Sequence, residues 1–119
     1  MKDFRQLLVW QKSHQLAVEI YKITTSFPKH EMYGVTSQIR RAAASIPANI
    51  AEGCGRGSDS DLARFIQIAM GSASELEYHL LLSKDIGYLD DKTYETLANE
   101  VIEIKRMLAS FIKKLKADC

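Results

Sequence analysis

Between Ser45 and Ser58 the chain reads SIPANIAEGCGRGS, with glycines at 53, 55 and 57 around Cys54 and Arg56. Glycines just ahead of a helix start are the raw material of a phosphate cradle, because free amides attract an anion and an arginine neutralises it. A Walker A loop, however, needs GxxxxGK[ST] after a strand. Here the preceding segment has a helical pattern, the spacing is GxGxG and no lysine follows. Asp59 and Asp61 would also place carboxylates where a phosphate must sit, and they can cap the helix themselves. The stretch therefore reads as a joint between two helices, with Gly53 or Gly55 taking the left-handed conformation that ends the first.

Other residues with chemical potential do not converge. His14, His30 and His79 fall on different predicted elements, with no HxxxH or ExxH pair to hold a metal. No GxSxG turn presents a nucleophile, and Glu75 and Glu77 are two apart on a helix, so they do not share a face. The chain reads as a non-enzyme without cofactor, metal or small-molecule substrate. Gln38, Asn49 and Glu52, with Glu31 and Ser45, form a polar stripe that reads as a structural network, Asn49 bonding a neighbouring backbone group such as the carbonyl that Pro47 frees. Candidate nucleic-acid contacts are Arg40 and Arg41, side by side, then Arg56, Arg64, Lys113 and Lys114.

These residues have to be positioned by helices. In the first, Val9, Leu16, Ile20, Ile23 and Phe27 share one face; in the second, Met32, Val35, Ile39, Ala42, Ile46 and Ile50 do. The third is lined by Leu62, Ile66, Ala69, Ala73, Leu76 and Leu80, and the fourth by a seam from Tyr94 to Leu115. The predicted bounds are about 4–26, 30–52, 59–85 and 92–116, a single domain over 1–119. Pro47 predicts a kink rather than a break, since Ile50 stays in phase. Short links between long helices give an all-α, antiparallel up-down-up-down four-helix bundle.

Two helices carry a second apolar face: Ala44, Pro47, Ala48 and Ala51 on the second, Ile102, Ala109 and Ile112 on the fourth. One bundle cannot bury both, so these residues predict a homo-oligomer interface. Charge is uneven: residues 1–57 carry net +4, residues 58–103 net −7 and residues 104–119 net +4. An anionic partner would meet the first part or the tail. Cys54 and Cys119 lack CxxC spacing and read as free thiols. No apolar run is long enough for a membrane span and the start is too short for a signal peptide, which together imply a cytoplasmic protein.

The runs VWQKSHQL, FPKHEMYGVTSQIRRAAASIPANIAEG and GSASELEYHLL followed by GYL resemble the four helix bundle protein family, also called 23S rRNA-intervening-sequence proteins. The resemblance covers about Phe4 to Leu108. Its motif residues match at Phe27, Pro28, Glu31, Tyr33, Gly34, Gln38, Arg40, Arg41, Asn49, Glu52 and Gly53. It implies an oligomeric ring, a homopentamer, and no established catalytic residue. A related branch comprises retroelement accessory variability proteins, basic chains that bind reverse transcriptase and nucleic acid. This chain departs from that branch in being nearly neutral, with a pI of about 7.8. The expectation is a non-enzymatic oligomeric module that associates with structured RNA or a ribonucleoprotein. The alternative is a protein-only scaffold or adaptor ring that binds a polypeptide such as a reverse transcriptase or a ribosome-associated factor.

Overall fold

Four helices carry the apolar stripes: α1 Leu8–Ile23, α2 Val35–Cys54, α3 Asp59–Asp85 and α4 Asp91–Ala117. The computed structural model describes residues 2–117; Cys119 lies outside the described residues. Among these residues there are no strands, and the helices form an antiparallel four-helix bundle 46 × 22 × 20 Å in extent. α2 packs most extensively on α3 and α3 on α4, while the α1–α4 seam is the sparsest.

Each end has a local cause. Asp3 caps a 3-10 turn over Phe4–Gln6 by accepting from the Arg5 amide at 3.1 Å. Leu7 is extended, so the first α-helix starts at Leu8 and not near Phe4. A second 3-10 turn, Thr24–Ser26, ends it before Pro28. The second helix begins at Val35, five residues later than the expected start at His30. The intervening Lys29–Glu31 turn is held apart because Glu31 bonds outward: Oε1 accepts from the Val35 amide at 3.2 Å and Oε2 from the Tyr88 hydroxyl at 2.8 Å. Those bonds hold the Glu31 carboxyl below its ordinary range. Met32, read as a core residue, consequently lies outside the helix and is exposed.

α2 runs unbroken through Pro47 and past Gly53 to Cys54. Neither Gly53 nor Gly55 is left-handed; in this joint only Gly57 is, with φ +90°. Gly53 serves another purpose. A Cβ there would lie 2.8 Å from the Phe65 Cβ and 3.0 Å from the Leu62 Cδ1, so its hydrogen lets α2 and α3 close together. Ser58 caps α3 by accepting from the Asp61 amide at 3.1 Å, and Asp90 caps α4 through the Thr93 amide at 2.7 Å.

The core joins Leu16, Ile20, Ile39, Ile46, Ile50, Ile66, Leu76, Leu80, Val101, Ile104 and Leu108, all nearly solvent-free. No helix of the described residues is long and apolar enough to cross a membrane. Gly53→Ala is expected to destabilise by about 1–3 kcal/mol, the cost of overpacking. Gly71→Ala, mid-helix with nothing within 4 Å, is expected to stabilise by up to about 1 kcal/mol. Urea denaturation of the two variants checks the pair; equal effects would remove the close-approach role of Gly53.

Candidate functional site

On α1, Trp10, His14 and Tyr21 recur at steps of four and seven residues beside the core face. Trp10 and His14 stack with ring centroids 4.9 Å apart and planes 7° from parallel, and Phe4 lies tilted against Trp10 at 4.9 Å. These rings form one wall of an open groove whose floor is the second apolar face of α2: Ala44, Pro47, Ala48 and Ala51. Its volume is about 680 Å³. Past Tyr21, Ala44 and Ala48 it continues for about another 570 Å³ toward Met32, Arg40 and Arg41. No carboxylate lines either length, and Lys22, Arg40 and Arg41 stand along it.

The residues expected at a self-association surface are thus partly brought together. Ala48 is exposed, Ala44 and Ala51 are half-buried, and Pro47 is already buried by its own chain. The α4 set lies elsewhere: Ile102 is half-buried, Ile112 packs against the core, and Ala109 alone is exposed. The walls contributed by Trp10, His14 and Tyr21 escaped sequence reasoning, although their spacing on one face of α1 was there to be read.

The expected anion contacts separate. Arg40 is a tether: Nε donates to the Thr24 hydroxyl at 2.7 Å, Nη2 donates to the Tyr21 carbonyl at 3.2 Å, and the guanidinium sits 5.1 Å from the Tyr21 ring centroid. It satisfies the C-terminal end of α1 and pairs with neither Glu31 nor Glu52. Arg41 is exposed, donating to Gln38 at 2.8 Å and reaching Glu75 at 3.5 Å across to α3. Arg56 and Arg64 both lie over the Phe65 ring, at 4.9 and 4.7 Å, and pair with Glu52 and Asp61. Lys113 and Lys114 are exposed and have no ion pair among the described residues. Lys114 joins Lys2 and Arg106 at the rim of a cleft of about 580 Å³ between the start of α1 and the end of α4, with Asp59 its one acidic neighbour among the described residues. That end of the bundle brings three cations to one cleft among the described residues.

The expected polar network also divides. Asn49 bonds a neighbouring backbone group as expected, donating to the Ser45 carbonyl at 2.8 Å and to Ser45 Oγ at 3.0 Å, though the carbonyl is not the Ala43 one that Pro47 frees. Ser45 Oγ then meets Ser72 Oγ at 2.8 Å, which ties α2 to α3. Gln38 and Glu52 are exposed and bond arginines instead. Around the glycine joint, a cleft of about 160 Å³ has Ser58 and Asp59 in its wall. The Ser58 side chain already occupies the Asp61 amide. Burial pushes the Cys54 thiol up, away from the reactive thiolate.

Comparison with known proteins accords with this architecture. The family model for the 23S rRNA-intervening sequence protein matches residues 5–110. A crystal structure of a protein with unknown function from the S23 ribosomal protein family of Bacteroides thetaiotaomicron VPI-5482 is 34% identical, with a TM-score of 0.80. The match covers 89% of this chain and 99% of that one. No curated protein matches.

Arg40→Ala is expected to cost about 1.5–3 kcal/mol, the range for charged hydrogen bonds, whereas Arg41→Ala should stay within about 0.5 kcal/mol. Chemical denaturation of the two single variants separates them. Equal destabilisation would mean that the Thr24 and Tyr21 bonds do not hold the end of α1.

Proposed function

This chain belongs to the 23S rRNA-intervening sequence protein family, and from that premise we propose that it is a cytoplasmic, non-enzymatic module that self-associates and holds structured RNA or a ribonucleoprotein. The observation that carries the reading is the α1–α2 groove, apolar along its floor and free of carboxylates. Its occupant is a second copy of this chain. The region from Ser58 to Glu103 carries net −7, and on α3 Ile68, Tyr78 and Leu81 are 43%, 58% and 41% exposed. The small Ser74 lies among them. A basic-edged groove on one copy and the exposed apolar side chains of α3 on the next make a head-to-tail contact. Such contacts close into a ring when the rotation permits, and five copies is the expected number.

Repetition would then give weak cationic sites their value. Lys2, Arg106, Lys113 and Lys114 of one chain make a small patch; copies of it around a ring contact a polyanion together, and effective concentration multiplies the affinity. A second reading rests on Tyr33, 95% exposed beside the exposed Met32 at the opposite end of α2 from the glycine joint. An unpaired aromatic there suits a polypeptide partner, as in an adaptor ring.

Sedimentation velocity is expected to show an oligomer in the wild type and a folded monomer in Ala48→Glu, which sets a charge on the groove floor. A wild type that remains a 13.4 kDa particle at high concentration removes the groove contact. Gel-shift titrations with total RNA are expected to weaken steeply with salt. Arg106→Glu combined with Lys114→Glu should reduce the salt slope by about one for each phosphate that is no longer neutralised. An intact oligomer that shifts no RNA at low salt leaves the adaptor reading.

A further inference from the structure

The sparsest seam of the bundle gathers three carboxylates, Glu19, Glu100 and Glu103. Between α1 and α4 lies a cleft of about 280 Å³ lined by Lys12, Gln15 and Glu19 from one helix and Glu100 and Glu103 from the other. Glu100 is half-buried, and its Oε2 is shielded from solvent without a hydrogen-bond partner among the described residues. The charged groups facing it are Glu19 and Lys12 from α1 and Glu103 from its own helix. Lys12 is the single cation, and it is engaged with Glu103, Nζ to Oε1 at 2.7 Å. An ionised Glu100 is therefore a partly desolvated anion between two others, across the interface with the least packing to hold it shut.

We propose that the α1–α4 seam is a proton-operated latch on the α1–α2 groove, closed when Glu100 carries a proton and loosened when it ionises. In its effect on self-association the latch rests on the groove reading above. α1 is the shared element: one face closes the seam with Leu16 and Glu19, and the other carries Trp10, His14 and Tyr21 of the groove wall. A looser α1 gives a less ordered groove, and a partner then bears the ordering cost on binding.

The direction follows from linkage. Burial, then Glu19 and Glu103, hold the Glu100 carboxyl above its ordinary range. The closed seam thus binds a proton that the open seam releases. Its contribution is full below the ordinary carboxylate value and is lost as pH rises through the raised one. Glu31 has the opposite sign, because its carboxyl is held low and its contribution is lost as pH falls. The two act at different places in the bundle, so local readouts separate them.

Hydrogen-exchange protection factors for α1 amides, which divide out the intrinsic pH dependence of exchange, test the latch on the full chain. In the wild type, opening of α1 is expected to increase as pH rises above the ordinary carboxylate range and to level off once Glu100 is ionised in the closed seam, by at most about tenfold per unit for one proton. Glu100→Gln should keep α1 closed and flatten the dependence, and Glu19→Gln should narrow its window while leaving it present. A wild type with flat α1 protection, or a Glu100→Gln variant with the wild-type slope, overturns the latch. Sedimentation of the same samples reads the groove separately, with Glu100→Gln expected to associate more tightly than wild type at pH 8. Equal association of the two, with the latch seen by exchange, overturns the coupling. A chain that is monomeric throughout overturns the groove reading and leaves the exchange result to decide the latch.

Discussion

Helix α2 has more apolar surface than one side of a bundle can cover. Ile39, Ala42, Ile46 and Ile50 are sealed in the core, while Ala44, Ala48 and Ala51 turn the other way into the groove against α1. Everything around α2 answers to that double demand. α3 comes close where Gly53 has no side chain, and Ser45 and Ser72 bond across the same interface. α1 covers only part of the outer face, held by the Arg40 guanidinium at its C-terminal end. Apolar area left in a groove of this kind is favourable to bury at roughly 25 cal/mol per Å². The small residues matter because they bring two helix backbones near each other without steric conflict.

The helices were legible because burial and periodicity coincide. All six α3 stripe residues from Leu62 to Leu80 are buried, and the α4 seam from Leu97 to Leu108 is buried with them. Illegible were the places where one side chain breaks the helical rule for a local bond. Met32 fits the α2 spacing, yet Glu31 commits its carboxylate to the Val35 amide and the Tyr88 hydroxyl, 57 residues away, and the helix starts late. Gly53 resembles a helix terminator in sequence, but its reason for being glycine is the Phe65 Cβ on another helix. A neighbour that distant in sequence leaves no mark on local spacing.

The basic residues show the same limit more sharply. Arg40 and Arg41 are adjacent, and on helix geometry about 100° apart. That rotation is enough to send Arg40 to the end of α1 and Arg41 to Glu75 on α3. Arg56 and Arg64, eight residues apart, converge instead on one ring, Phe65. Charge counted along the chain therefore overstated what is free to meet a polyanion. The cations with room around them are Lys2, Arg106 and Lys114, which the bundle brings together from its two ends of sequence at one end of the molecule. Arg106 belongs to the basic end of α4 that the sequence displays, but its proximity to Lys2 left no mark there, because it depends on α1 and α4 being neighbours.

That neighbour relation is also the sparsest seam in the fold, and it gathers carboxylates. α2–α3 and α3–α4 are closed by alanines, a glycine and buried aliphatic chains, whereas α1–α4 has to accommodate Glu19, Glu100 and Glu103 with one lysine. A sequence selected only for stability would replace Glu100 by an uncharged residue, since burying an unpaired carboxylate costs more than losing it. Its presence puts the proton-operated latch on α1, the helix that forms the wall of the groove. The helix with least holding it on its inner side is thus the one whose outer side a partner would meet, so inner-seam chemistry and outer-surface recognition are joined through a single rod.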